Sequence, residues 1–157
     1  MDKLHVPKRY LPQMLSKNDT KKQKRYLRTS RKLYKKGIYY QRPNVKSFKS
    51  NTSSHIEKAK RMYNINTIRP SQALARKTQC SQSALRKIVN KGRGAYYSSG
   101  SRPNQTAESW GLARLASAIT HGNASRVDYD ILKKGCRPSS RALRGAKRPP
   151  QKTRKNR

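Results

Sequence analysis

Thr106-Ala107-Glu108-Ser109-Trp110-Gly111-Leu112-Ala113-Arg114-Leu115-Ala116-Ser117-Ala118-Ile119-Thr120 decides the fold class. Leu112, Leu115, Ala116 and Ile119 stand at i, i+3, i+4 and i+7, which lines one face of an α-helix, and Gly122 supplies a stop. Apolar residues elsewhere recur with the same helical period. No run of clear polar–apolar alternation marks a strand, and no internal repeat is present. The expected fold is all-α, with four or five short helices in a small domain.

Immediately upstream, Lys91-Gly92-Arg93-Gly94-Ala95-Tyr96-Tyr97-Ser98-Ser99-Gly100-Ser101-Arg102-Pro103 reads as a long Gly/Ser loop over the core. Backbone N–H groups together with Arg93 and Arg102 are suited to phosphate. Tyr96 and Tyr97 are suited to stacking on bases of a single strand. The segment is not a P-loop, because no Gly-Lys-[Ser/Thr] enters a helix.

Further upstream, the stretch from Leu74 to Ile88, LARKTQCSQSALRKI, resembles a helix-turn-helix. Ala75 is the small residue that lets two helices approach. Gln79, Cys80 and Ser81 fall at the turn, and Leu85 and Ile88 anchor the second helix. The departure is Gln79, where glycine is usual because the turn favours positive φ. If the second helix reads a DNA groove, Gln82, Ser83, Arg86 and Lys87 face it. The alternative is a structural helical hairpin.

Helices are also expected from the capping box Ser54-x-x-Glu57 onward, with Ile56, Ala59, Met62 and Tyr63 on one face. Others are expected from Pro70-Ser71, from Ser81 to a stop at Gly92, and over roughly 125–133 with Val127 and Ile131 inward. Near the N-terminus, Asn18-Asp19-Thr20 offers a cap and Gly37 a stop. Tyr26, Leu27, Ser30, Leu33 and Tyr34 share one stripe between them. This predicts a basic amphipathic helix over roughly 20–36, either a surface helix of a larger fold or one that orders on a partner, since like charges at i,i+4 oppose it alone.

Charge divides the chain. Lys17–Lys49 holds 13 basic residues and one acid, Asn51–Cys136 holds 15 and four, and Arg137–Arg157 holds nine and none. The expected organisation is a basic N-terminal arm over 1–50, a helical domain over 51–136 and a disordered basic tail over 137–157. Overall, 40 Lys and Arg against six Asp and Glu give a formal charge of +34. A chain so charged repels itself unless a polyanion lies alongside. Duplex DNA, with one charge per about 1.7 Å of axis, matches that excess over roughly 20 base pairs.

Other classes find little support. Apolar residues make up only 32%, and no apolar run approaches the roughly 18 residues of a membrane span. The first residues, MDKLHVPKRYLPQML, lack the apolar stretch of a secretory signal. His5, His55 and His121 are scattered, and no paired carboxylates stand out. Asp128 and Asp130 lie two apart, so they point to different sides of a helix and are expected to pair with nearby cations. No zinc, calcium or nucleotide signature occurs. No enzyme activity, metal or cofactor is expected. Cys80 and Cys136, in no metal-like spacing, are expected as reduced packed thiols, with a disulfide between them left open.

Three segments carry a family resemblance: SRKLYKKG from Ser30, GAYYSSGSRPNQT from Gly94 and SWGLARLASAI from Ser109. Over about Lys21 to Cys136 the chain resembles a small basic domain of unknown function encoded by large eukaryotic DNA viruses, the phycodnavirus and mimivirus-like group. The resemblance implies a setting, the virion, reached after assembly in the host nucleus or cytoplasm. It assigns no catalytic residue.

The expected function is that of a minor capsid or virion protein. It contacts capsid subunits and, largely without sequence preference, double-stranded DNA. The alternative is a helix-turn-helix protein acting in genome compaction or transcription. The residues expected to meet anions are Lys21, Lys22, Lys24, Arg25, Arg28, Arg31, Lys32, Lys35 and Lys36, then Arg86, Lys87, Arg93 and Arg102, and finally Arg144, Lys147, Arg148, Lys152, Arg154 and Lys155. Oligomeric state is left open.

Overall fold

A computed structural model describes residues 4–150. The fold is all-α, with no strand among the described residues. After a 3-10 turn at Lys8–Tyr10, the helices are α1 Lys17–Lys35, α2 Ser54–Tyr63, α3 Gln72–Thr78, α4 Gln82–Ser98, α5 Ala107–Ile119, α6 Asn123–Val127, α7 Tyr129–Gly135 and α8 Arg141–Arg144.

These form two compact units that do not follow the arm–domain–tail division. Within the described residues, the first unit comprises 4–53 with 89–113, and the second comprises 54–88 with 114–150. Residues 4–50 are therefore not an arm, because their buried groups pack on residues from 89 onward, Ser30 donating to the Tyr97 carbonyl and Arg42 to the Tyr96 carbonyl. The tail is likewise ordered through α8, where Ala142 and Ser140 are buried.

In the first unit, α1 begins at its N-cap Ser16, whose side chain accepts from the Asp19 N–H, rather than at Asn18–Thr20. It ends before Gly37, which takes φ +76 as the expected stop. Its buried stripe is Asp19, Gln23, Leu27 and Ser30, while Tyr34 at the end of the expected stripe is exposed.

A buried cation holds this unit together. The Arg42 guanidinium donates to Ser30 Oγ at 2.9 Å, to the Tyr96 carbonyl at 2.6 Å and to Ser101 Oγ at 2.8 Å. It also lies 3.7 Å from the centroid of the Tyr96 ring. Burial holds this guanidinium below the usual arginine range. Asn104 adds a clamp: its side chain accepts from Val45 N–H and donates to the Val45 and Phe48 carbonyls.

The expected loop from Gly92 is instead the continuation of α4 to Ser98. Two glycines cost about 1 kcal/mol each in a helix. Burial of Tyr96 and its contacts to Arg42 outweigh that cost. The stop is Gly100, at φ +129, where a Cβ would lie 2.7 Å from Leu27.

In the second unit, Leu74, Leu85, Ile88, Leu115, Ile119 and Leu132 are fully buried. Ser71 caps α3, as expected, accepting from Leu74 N–H at 3.2 Å. The predicted single helix over 125–133 is broken at Asp128 into α6 and α7. Asp128 is buried and accepts two 2.8 Å bonds from Arg114, the pairing expected of it. Ser125, Asp128 and Leu132, at i, i+3 and i+7, take the buried face, so Val127, expected inward, is 66% exposed and Ile131 is half-buried.

Tyr63 offers a pH test of this unit. Its hydroxyl donates to the Ile119 carbonyl at 2.6 Å. Burial pushes its pKa up to about 12, against a smaller opposing effect of Arg141. The folded phenol keeps its proton while the unfolded one loses it near pH 10. The stability contributed is therefore whole below pH 10 and lost between pH 10 and 12. Urea unfolding should register that fall, and Tyr63→Phe should remove this component. An unchanged pH slope in the variant refutes it.

Candidate functional site

α1 gathers the cations. Lys21, Arg25, Arg28, Lys32 and Lys35 are exposed and, at 100° per residue, fall on the face opposite Gln23, Leu27 and Ser30, with the exposed Lys24 at one edge of it. Lys36, the C-cap residue, extends this stripe, and Lys22 stands at its edge. From Lys21 to Lys36 the helix rises about 22 Å. Eight cations over that length give one per roughly 3 Å, against one phosphate per about 1.7 Å of duplex.

Arg31 departs from its neighbours. Its Nε donates to the Ser99 carbonyl at 2.9 Å and its Nη2 to the His5 carbonyl at 3.0 Å. It is a structural tie rather than a free cation. Arg93 and Arg102, in the same unit, are exposed, and Arg93 pairs with Glu108.

In the second unit, the expected helix-turn-helix places α3 and α4 about a turn in which Gln79 takes the left-handed conformation, φ 57. The turn is tied to the segment after α7. Ser81 N–H donates to the Gly135 carbonyl, Arg137 N–H to the Gln79 carbonyl and Ser140 Oγ to the Thr78 carbonyl. Cys80 and Cys136 form a disulfide, which corrects the expectation of two reduced thiols. The hydrogen bonds on either side bring those two stretches of backbone together.

The groove-facing quartet is only partly free. Gln82 donates to the Pro70 carbonyl at 3.0 Å. Ser83 and Lys87 line a hollow shared with Asp130, Ile131 and Lys134 of α7. Arg86 is exposed, as are Arg144, Lys147 and Arg148. Lys147 is anchored through its N–H to Ser125 Oγ and its Nζ to Asn123. Lys152, Arg154 and Lys155 lie outside the described residues.

The carboxylates are already occupied where the structure describes their partners. Glu57 pairs with Lys60, Glu108 with Arg93 and Asp128 with Arg114. Asp19 accepts from Ser47 N–H at 2.8 Å, and hydrogen bonds from the Ser47 side chain and backbone hold its carboxyl below the usual range.

Sequence reasoning missed an aromatic cluster. Tyr34, Tyr39 and Tyr97 adjoin one another, with centroids 6.2 Å and 5.0 Å apart along the series. Tyr96, expected to stack on bases, is instead fully buried, and its hydroxyl accepts from Arg42 N–H. The i,i+5 separation of Tyr34 and Tyr39 across a helix end has no periodic signature, so it could be found only in three dimensions.

Among the described residues, no group of three or more His, Cys, Asp and Glu is placed to hold a metal, and no helix is long and apolar enough to cross a membrane. Residues 7–135 match the model of a family described as a family of unknown function (DUF5824). No curated protein and no solved structure matches the chain.

Proposed function

The chain belongs to that family of unknown function, and on this premise we propose that it is a non-enzymatic structural protein whose cationic surfaces neutralise double-stranded DNA, within the particle of a large DNA virus. Capsid subunits with acidic surfaces are its second class of neighbour. The observation that carries this reading is stoichiometric: 40 Lys and Arg face six carboxylates. Internal pairing cannot compensate such an excess, and most of the α1 cations are turned to solvent.

The contacts are charge-assisted hydrogen bonds to phosphate, made without regard to base sequence. Partial occupation of the helix-turn-helix face by Pro70 and α7 supports backbone neutralisation over groove reading. The family resemblance supports the viral setting, with the virion as the place of action.

Titration against two unrelated 30-base-pair duplexes tests the proposal. A protein making six to ten phosphate contacts loses roughly 10³–10⁵ in affinity between 50 and 200 mM salt. We expect that slope, equal for both duplexes. Salt-insensitive binding, or strong preference for one duplex, overturns it. The particle assignment is checked separately, by retention of the protein in purified shells after nuclease treatment.

A further inference from the structure

The cluster of Tyr34, Tyr39 and Tyr97 borders an open hollow of about 500 Å³, within the roughly 300–1,000 Å³ of small-ligand sites. Tyr39 is 69% exposed and its neighbour Ile38 49%. Isolated exposed aromatics need no explanation. Here three adjoin, their planes tilted by 40° and 36° along the series. Tyr97 meets the buried Tyr96 edge-on at 5.0 Å, and Tyr96 lies under the Arg42 guanidinium. The rings are therefore backed by the buried Tyr96–Arg42 pair.

The rest of the hollow is polar. Gln41, Asn90 and Thr106 bring amide and hydroxyl groups able both to donate and to accept, as a base edge requires. Arg93 adds a guanidinium beside Glu108. Tyr34 lies in the last turn of α1 on the side of Leu27 and Ser30, and Lys35 and Lys36, where the cationic stripe ends, follow it directly in the chain.

We propose that this hollow seats one unpaired nucleobase of a nucleic acid whose phosphates follow the α1 cations. The inference rests on the polyanion reading above and adds a preference that duplex neutralisation lacks. A quaternary ammonium group would use the same ring faces. It would have to enter the field of a +34 chain, whereas a phosphate-bearing ligand is drawn in by that field.

The test uses the full chain and two probes: a 30-base-pair duplex, and a ten-residue oligothymidylate with a central 2-aminopurine. We expect the 2-aminopurine to be quenched on binding. Tyr39→Ala should weaken oligothymidylate binding roughly tenfold to a hundredfold, the range of one lost base–aromatic stack. It should leave duplex affinity within about twofold, and Tyr39→Phe should restore the oligonucleotide. Duplex binding without quenching, or equal effects of Tyr39→Ala on both probes, overturns this inference while the polyanion reading stands. Failure to bind either probe overturns both. Competition by a trimethyl-lysine peptide, but not by unlabelled oligothymidylate, reassigns the hollow to a cationic ligand and also overturns the inference.

Discussion

Replacing Lys21, Arg25, Arg28 and Lys32 together by glutamine should weaken duplex binding about a thousandfold at 0.15 M salt. Each neutralised phosphate contributes about 0.9 to the slope of log K against log salt. Four lost contacts therefore lower the slope by roughly 3.6, which at 0.15 M corresponds to about three decades. The four residues lie on the exposed face of α1, so the core is untouched. Glutamine is a good helix former. Removing like charges at i,i+4, as between Lys21 and Arg25 and between Arg28 and Lys32, relieves about 0.2–0.5 kcal/mol per pair.

The variant should thus bind less and melt no lower. A control removes four exposed cations elsewhere: Arg61, Arg69, Arg76 and Lys77. Equal loss in the control would mean that net charge alone, and not the α1 face, meets the duplex. Titrations of both variants at several salt concentrations, read beside their melting curves, decide between these outcomes.

Reducing the Cys80–Cys136 bridge should lower stability by about 4 kcal/mol. The two cysteines are 56 residues apart in sequence, and closing a loop of that length removes about this much chain entropy from the unfolded state. For a unit of fewer than about 100 residues, that lowers its Tm by roughly 16–32 °C. Cys136→Ser should do the same without added reductant, and reductant should then change nothing further. The effect should be confined to the second unit, which contains both cysteines. Hydrogen exchange before and after reduction reads this directly: protection should fall at Leu85 and Leu132 and hold at Leu27 and Tyr96. A fall in both units, or in neither, refutes the assignment.

The helical period made most of the elements legible. α3 with its cap at Ser71, α5 and the stop of α1 at Gly37 all lie where apolar spacing and punctuation place them. The failures share a cause. Gly92 reads as a stop because intrinsic propensity is local, but the packing of Tyr96 on Arg42 carries α4 through it. Val127 reads as inward because it is apolar, but the Asp128 carboxylate, paired with Arg114, is buried and turns the face of Ser125, Asp128 and Leu132 to the core instead. Arg42 reads as one more cation in a basic stretch, and nothing nearby in sequence announces the two serines and the carbonyl that receive it.

The candidate site is legible in part. The cationic stripe follows from the period of α1 alone, except that Arg31 is spent on the Ser99 and His5 carbonyls. The tyrosine hollow joins a helix end, the chain after it and the second half of α4, which only folding brings together. The two cysteines likewise say nothing of pairing until the α3–α4 turn and the end of α7 are seen to exchange hydrogen bonds.

The scarcity of carboxylates has one more consequence, in acid. Proteins are usually unfolded by low pH because many native carboxylates must be protonated and the chain then swells with positive charge. Protonating all six carboxylates and three histidines adds only nine to a charge already at +34. The cation at the centre of the first unit is held by hydroxyls, a carbonyl and a ring face, none of which titrates on acidification. In that unit acid acts chiefly at Asp19, whose bonds from Ser47 are lost on protonation, and not at its buried cation.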